Sequence, residues 1–293
     1  MVAQGDIITG AQHPTHPQTA PLPASLPVSY LPAMTIAGRT ALVCGGTQGI
    51  GSASAIGLAG QAATVILLAR DPERLEQAQM SLPRPTGATH EAIAADLNDP
   101  VAVAALIGQR IAAKGPIEIL INNAGGPPAG PVSTATADAF VTAFRQHILA
   151  NQLLAQTVIP GMRSQGYGRI INIVSTSVRQ PIGGLGVSNT IRAAVAGWAK
   201  TLSNELGASG ITVNNVLPGA TKTGRLDAII ANRAKATGAT IEEVAHGMES
   251  EIPLGRFATA DEIAAAVIFL ASPAASYITG VSLPVDGGRI SSI

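Results

Sequence analysis

Cysteine is nearly absent from this chain. Its 293 residues include one, Cys44, which excludes an internal disulfide and any cysteine-based metal cluster. The histidines (His13, His16, His90, His147 and His246) are scattered, and only His13 and His16 approach metal-ligand spacing. That pair lies in a proline-rich stretch where chance explains it, so no metal is expected. Aromatic residues make up 3%, which argues against a stacking pocket for large flat ligands. Charged residues reach only 12%, and 18 Lys+Arg balance 18 Asp+Glu, so nothing suggests a nucleic-acid or anionic-membrane surface. No apolar run approaches ~18 residues, so no membrane span is expected. What the chain has in quantity is apolar side chains, 46% of the total, which suits a sheet buried on both faces with extensive subunit contacts.

Residues 1–33 differ from the rest. They hold Pro14, Pro17, Pro21, Pro23, Pro27 and Pro32, one acidic residue, and no Lys or Arg. A secretory signal needs a basic start and an apolar core, and neither is present. The expectation is a disordered tail, or a start upstream of a functional Met34; an arm packing on a partner subunit is the alternative. A cytoplasmic protein is expected.

From Gly38 onward, short apolar runs alternate with Ala-rich helical stretches. Strands are predicted at Thr40–Cys44, Thr64–Ala69, Ala92–Ala95, Ile117–Ile121, Arg169–Val174, Ile211–Val216 and Val281–Val285. Helices are predicted at Ile50–Ala59, from Asp71-Pro72 with Asp71 as N-cap, and near Asp99–Lys114, Asp138–Gln165, Ser188–Leu206 and Ala260–Leu270. This alternation implies βαβ units, hence an α/β fold with one doubly wound, Rossmann-type parallel sheet and helices on both faces, over 34–293. In 223–252, Leu226, Ile229, Ile230, Ile241, Val244 and Met248 give apolar faces at helical spacing, which ordinary helix packing and a substrate lid explain equally well.

Gly45-Gly46-Thr47-Gln48-Gly49-Ile50-Gly51 follows a strand and opens a helix, a turn suited to a pyrophosphate. Three further stretches end strands: Asp96-Leu97, Asn122-Asn123-Ala124-Gly125 and Pro218-Gly219-Ala220-Thr221-Lys222-Thr223. Ligands of open parallel sheets bind at that edge. With Gly168-Arg169-Ile170-Ile171-Asn172, Ile252-Pro253-Leu254-Gly255-Arg256-Phe257, Thr279-Gly280 and Asp286-Gly287-Gly288, these motifs resemble the short-chain dehydrogenase/reductase superfamily. The likeness is closest to its 3-oxoacyl-carrier-protein reductase-like members and runs from about Ile36 to Gly288.

The resemblance implies that Gly45, Thr47, Gln48, Gly49, Ile50 and Gly51 hold pyrophosphate. Asp96 and Leu97 meet the adenine, and Asn123, Ala124 and Gly125 line the adenosine half. Pro218, Gly219, Thr221 and Thr223 clasp the nicotinamide. Cys44 stands where the family usually has Thr, and packing is expected of it. At the end of the second strand the position that would select NAD by an acidic residue is Ala69, and Arg70 follows. A guanidinium suits a 2′-phosphate, so NADPH is expected over NADH.

The family's proton machinery is a Ser, a Tyr with a Lys four residues on, and a supporting Asn. Here Ser175 keeps the Ser position, Ser188 replaces the Tyr, Arg192 replaces the Lys, and His147, counted back from Pro160 as the match to the family's helix-ending proline, replaces the Asn. Ser188 and Arg192 are one helical turn apart and share a face. An aliphatic hydroxyl is a far weaker acid than a phenol, and Arg192 cannot relay a proton. No tyrosine offers itself: Tyr30 is in the tail, Tyr167 is at the wrong end of strand five, and Tyr277 precedes the last strand. The expected activity is an atypical reduction of a small-molecule carbonyl. Ser175 would polarise it, Arg192 would hold ribose, and the proton would come from His147, water or the substrate. Lys222 is a weaker candidate donor. A non-catalytic NADP(H)-binding sensor or silent subunit is a second reading, and a lyase or isomerase a third. The resemblance also implies a homodimer or homotetramer, with Trp198 at the interface.

Overall fold

The computed structural model describes residues 34–85 and 87–292; the expectations for 1–33 lie outside them. Strands β1 (Thr40–Cys44), β2 (Thr64–Ala69), β3 (Glu91–Ala94), β4 (Ile119–Asn122), β5 (Gly168–Ile173), β6 (Ile211–Pro218) and β7 (Ser282–Val285) form one sheet. Its order is β3-β2-β1-β4-β5-β6-β7 and every pairing is parallel. The order reverses between β1 and β4, the switch point at which doubly wound sheets take ligands.

Successive strand side chains point to opposite faces, and both are covered. Val43, Leu67, Ile121 and Val216 pack under helices α1 (Gly49–Gly60), α2 (Pro72–Ser81) and α9 (Ala260–Ala271). Leu42, Cys44, Ile66, Leu120 and Val213 pack under α3 (Pro100–Lys114), α5 (Ala150–Gln165) and α6 (Gly186–Leu206). Burial on both faces is why the strands read as unbroken apolar runs rather than alternating ones.

The starts of the helices fall into two groups. Asp71, Asp99 and Thr259 accept first-turn N–H groups at the starts of α2, α3 and α9, as Thr136 does for α4 (Ala137–Phe144) and Thr240 for α8 (Ile241–Ser250). α1, α6 and α7 (Gly224–Thr237) have no side-chain cap. These three come after the glycine turn, the β5 loop and the β6 loop, all at the carboxyl edge of the sheet.

Three expectations need correcting. The stretch 138–165 is not one helix: α4 and α5 are joined by a π-helical turn, Arg145–Leu149, that buries His147. Pro160, matched by resemblance to a helix-ending proline, lies inside α5, which continues to Gln165. In 223–252, Leu226, Ile230 and Val244 pack with Ile252 and Phe257, but Ile241 is exposed, because it is the first residue of α8 and turns outward. Trp198 is half-buried within its own chain, its indole N–H donating to Gln152 Oε1 at 2.7 Å.

A row of amides crosses the carboxyl end of the sheet. Asn122, Asn172, Asn215 and Ser282 stand side by side on β4, β5, β6 and β7. Asn122 Nδ2 donates to Asn172 Oδ1 (2.8 Å), Asn172 Nδ2 to Asn215 Oδ1 (2.9 Å), and Asn215 Nδ2 to Ser282 Oγ (3.1 Å). Asn122 Oδ1, at the open end of the row, is buried without a partner.

Candidate active site

The glycine turn is shaped by close approach. Gly45 has φ +60°, a region costly for residues with a Cβ. A Cβ on Gly51 would come within 2.1 Å of the Gly45 carbonyl oxygen. Asn123, the first residue after β4, donates its Nδ2 to the carbonyls of Cys44 (3.2 Å) and Gly45 (3.3 Å), tying the turn to the switch point. Gln48, the residue before α1, gives no side-chain cap, so the first-turn N–H groups stand open. An open helix start behind a glycine cradle fits a pyrophosphate. Thr223 closes the other side: a Cβ on Gly49 would lie 3.1 Å from its methyl carbon. Thr223 Oγ1 donates to Thr221 O and Thr221 Oγ1 to Gly219 O, which folds the Pro218–Thr223 loop on itself. Thr47 and Ile50 are half-buried in the turn.

On the strands beyond β1, Arg70 is exposed at the end of β2 and makes no ion pair among the described residues. Its neighbour Asp71 is engaged instead, capping α2 and pairing with Arg74 at 3.2 Å. Asp96 is exposed just past β3 and accepts from Asn98, while Leu97 packs on the core. Cys44 is buried and its thiol is pushed up to about 12 by burial, so it packs and does no redox chemistry.

Arg192 and His147 meet at the loop after β4, and Ser175 lies just past the end of β5. Ser175 follows β5 and accepts the Ser177 N–H on its Oγ at 3.1 Å. Its own O–H is therefore left to donate to a bound carbonyl. Arg192, one turn after Ser188 on α6, is buried at 8% exposure. Its Nη1 donates to Ile173 O at 2.7 Å, its Nη2 reaches Ala124 O loosely at 3.5 Å, and its Nε is buried without an acceptor. Burial, and then the charge of Arg225, lower its pKa to about 10, which leaves it cationic at neutral pH. Ser188 is buried, and its hydroxyl makes no hydrogen bond among the described residues.

His147 lies where the sequence places it, but its state is not that of an acid. It is 3% exposed, and its Nε2 lies 3.1 Å from Gly125 O. A carbonyl only accepts, so the ring proton is assigned to Nε2. Burial first, and then the Arg192 cation, push its pKa down to about 3, against a smaller upward pull from the Gly125 bond. At neutral pH this is a neutral imidazole whose proton is already bound, and it cannot serve as an imidazolium donor. The expectation of proton delivery from His147 gives way to a positioning role on the loop Asn123–Gly125.

Tyr167, just before the start of β5, is engaged elsewhere. Its hydroxyl donates to Ala271 O at 2.6 Å, and its ring packs against Arg39 and Arg169, 4.2 and 4.0 Å from its centroid. One residue at this edge lies outside the sequence expectations. Arg225, in the first turn of α7, donates to Pro127 O at 2.7 Å and lies over Gly126. Its only sequence signal is its place, two residues past Thr223 and three past Lys222.

The comparisons agree with this geometry. The family profile described as "Enoyl-(Acyl carrier protein) reductase" matches residues 45–289. The Streptomyces virginiae protein named monensin polyketide synthase putative ketoacyl reductase is 34% identical over 252 residues, covering 85% of this chain and 96% of that one. The 3-oxoacyl-[acyl-carrier-protein] reductase FabG of Escherichia coli is 31% identical over 255 residues, covering 87% and 98%. The crystal structure of L-sorbose reductase from Gluconobacter frateurii, complexed with NADPH and L-sorbose, superposes with a TM-score of 0.83 at 31% identity, covering 89% and 99%. The chain belongs to the short-chain dehydrogenase/reductase superfamily, among its 3-oxoacyl-carrier-protein reductase-like members.

Proposed function

We propose that this protein is a cytoplasmic NADPH-dependent oxidoreductase that reduces a small-molecule carbonyl, a 3-oxoacyl group or related ketone, without a Tyr–Lys pair. NADPH is supported by the solved relative that carries it and by the unpaired Arg70 at the end of β2. When bound, the nicotinamide supplies the hydride. Ser175 offers its free O–H to the substrate oxygen. Arg192 supplies a fixed buried positive charge beside the same strand end, through Ile173. A preorganised cation of this kind stabilises negative charge developing on the substrate oxygen without a proton having to arrive first. The final proton then comes from water or from an acidic hydroxyl on the substrate, with Ser188 on the adjacent turn lining the path. A positioned general acid contributes typically ~10²–10⁴-fold, and this reaction forgoes that factor while keeping the electrostatic one.

The observation that carries this reading is the buried, carboxylate-free Arg192. Following the nicotinamide absorbance against 3-oxoacyl thioesters, ketones and quinones tests it. Oxidation of NADPH by any class, lost in Ser175→Ala, supports it. NADPH binding with no turnover would favour the sensor or silent subunit, and turnover without an absorbance change the lyase or isomerase. A homodimer or homotetramer is part of the proposal. Val141, Phe144 and Leu149 are exposed and, with Phe140, Arg145 and Ile191, line a shallow apolar groove of about 310 Å³. A monomer by light scattering at micromolar concentration would refute the assembly.

A further inference from the structure

Two arginines from different helices hold the same short loop. Arg192 of α6 reaches Ala124 O and Arg225 of α7 donates to Pro127 O, carbonyls three residues apart. Six ion pairs join the described residues, and neither arginine takes part in any. The other titratable groups at this edge do not compensate. His147 is neutral, and Lys222, exposed on the neighbouring loop, adds a third cation. Asp286, whose backbone packs against Gly219, has its carboxylate engaged by the N–H groups of Gly288 (3.0 Å) and Ile290 (2.8 Å). Asp227 is exposed in the first turn of α7, two residues past Arg225.

A buried charge is normally paired, because removing it from water is costly otherwise. Arg192 keeps a buried, unanswered Nε–H, and Arg225, exposed, uses one of its five N–H donors in the hydrogen bond to Pro127. Both therefore offer donors without an acceptor among the described residues. The geometry points to a carboxylate on the substrate, an oxo acid among the ketones of the proposed reaction, with Arg225 as the residue that selects it. The ketone half of this statement rests on the proposed reductase reading; the carboxylate half concerns binding and stands without turnover. Like charges held on one loop have a further effect. Arg225 lowers the Arg192 pKa, and an incoming carboxylate relieves that repulsion, so its binding is favoured by both guanidinium groups at once.

The test is calorimetric titration of the full-length protein saturated with NADP⁺. The probes are short- and medium-chain 2-oxo and 4-oxo acids, each paired with its own methyl ester. Acids should bind about tenfold or more tightly than their esters, the size expected of a charge-assisted contact. Arg225→Gln, which keeps an amide donor for Pro127 O, should erase that ratio, and Arg225→Lys should keep part of it. NADPH affinity, the control for folding, should stay within about twofold in both variants. Esters binding as well as acids, or no acid binding at millimolar concentration, would overturn the inference. So would an Arg225→Gln variant that loses NADPH affinity but keeps the acid preference, since Arg225 would then serve the cofactor phosphates. If acids bind preferentially but NADPH is never oxidised, the carboxylate site stands and the reductase reading falls.

Discussion

At the scale of single residues, the site is organised around which protons are fixed. An unfolded chain takes up a proton on His147 as pH falls through 6.5, whereas the folded imidazole stays neutral down to about 3. Between those values the unfolded state holds more protons, so stability falls as pH falls, and the contribution is complete only above 6.5. His147→Asn removes this dependence. Across pH 6.5 to 4.5, wild type should lose roughly 2 kcal/mol in all relative to the variant, read by urea unfolding. Equal slopes would show that the ring is not held neutral. Arg70 gives a second test. It is exposed and unpaired among the described residues, and its neighbour Asp71 is committed to α2. Arg70→Ala should therefore abolish the preference for NADPH over NADH without altering the melting temperature. Equal affinities already in the wild type would remove Arg70 from the cofactor site.

At the scale of elements, the amide row links four strands that are far apart in sequence. Asn172 both gives and receives, so Asn172→Ala strands Asn122 Nδ2 and Asn215 Oδ1 together. The cost should be roughly 2–4 kcal/mol in a denaturant melt, more than for a row-end change. The pairing of Val43 with Ile121 puts Cys44 next to Asn122, whose Oδ1 is orphaned. Cys44→Thr would bring a hydroxyl donor there, with an expected gain of about 1 kcal/mol. An unchanged melting temperature would mean that the hydroxyl does not reach. The strands themselves were legible in the sequence because burial on both faces leaves unbroken apolar runs, as in Thr64–Ala69, found with both ends correct. The amide row was not, since it depends on register between residues as far apart as 122 and 282. Nor was the π-helical turn at Arg145–Leu149, because one widened turn barely disturbs helical periodicity over 28 residues while rotating every side chain of α5 about the helix axis. Ser175, Ser188, Arg192 and His147 were legible only as candidates, by register. The neutrality of His147 was not, because it arises from burial and from a cation 45 residues away. Arg225 was missed because its partner carbonyl lies 98 residues upstream.

At the scale of the whole molecule, every strand and helix among the described residues begins at or after Thr40. A chain starting at Met34 should therefore fold and bind NADPH like the full one; loss of solubility on truncation would contradict this. The uncapped helix starts have a consequence of their own. Where side chains cap a helix, its first amides are protected from the solvent whether or not a ligand is present. At α1 and α7 no side chain caps the first turn, so in the free protein its leading amides should exchange their hydrogens quickly. Adding NADPH should slow deuterium uptake at the start of α1, with a smaller effect at α7, and leave the capped starts of α2, α3, α8 and α9 unchanged. In exchange kinetics the cofactor would act as a missing cap, and the map of slowed amides would outline its footprint before any substrate is known.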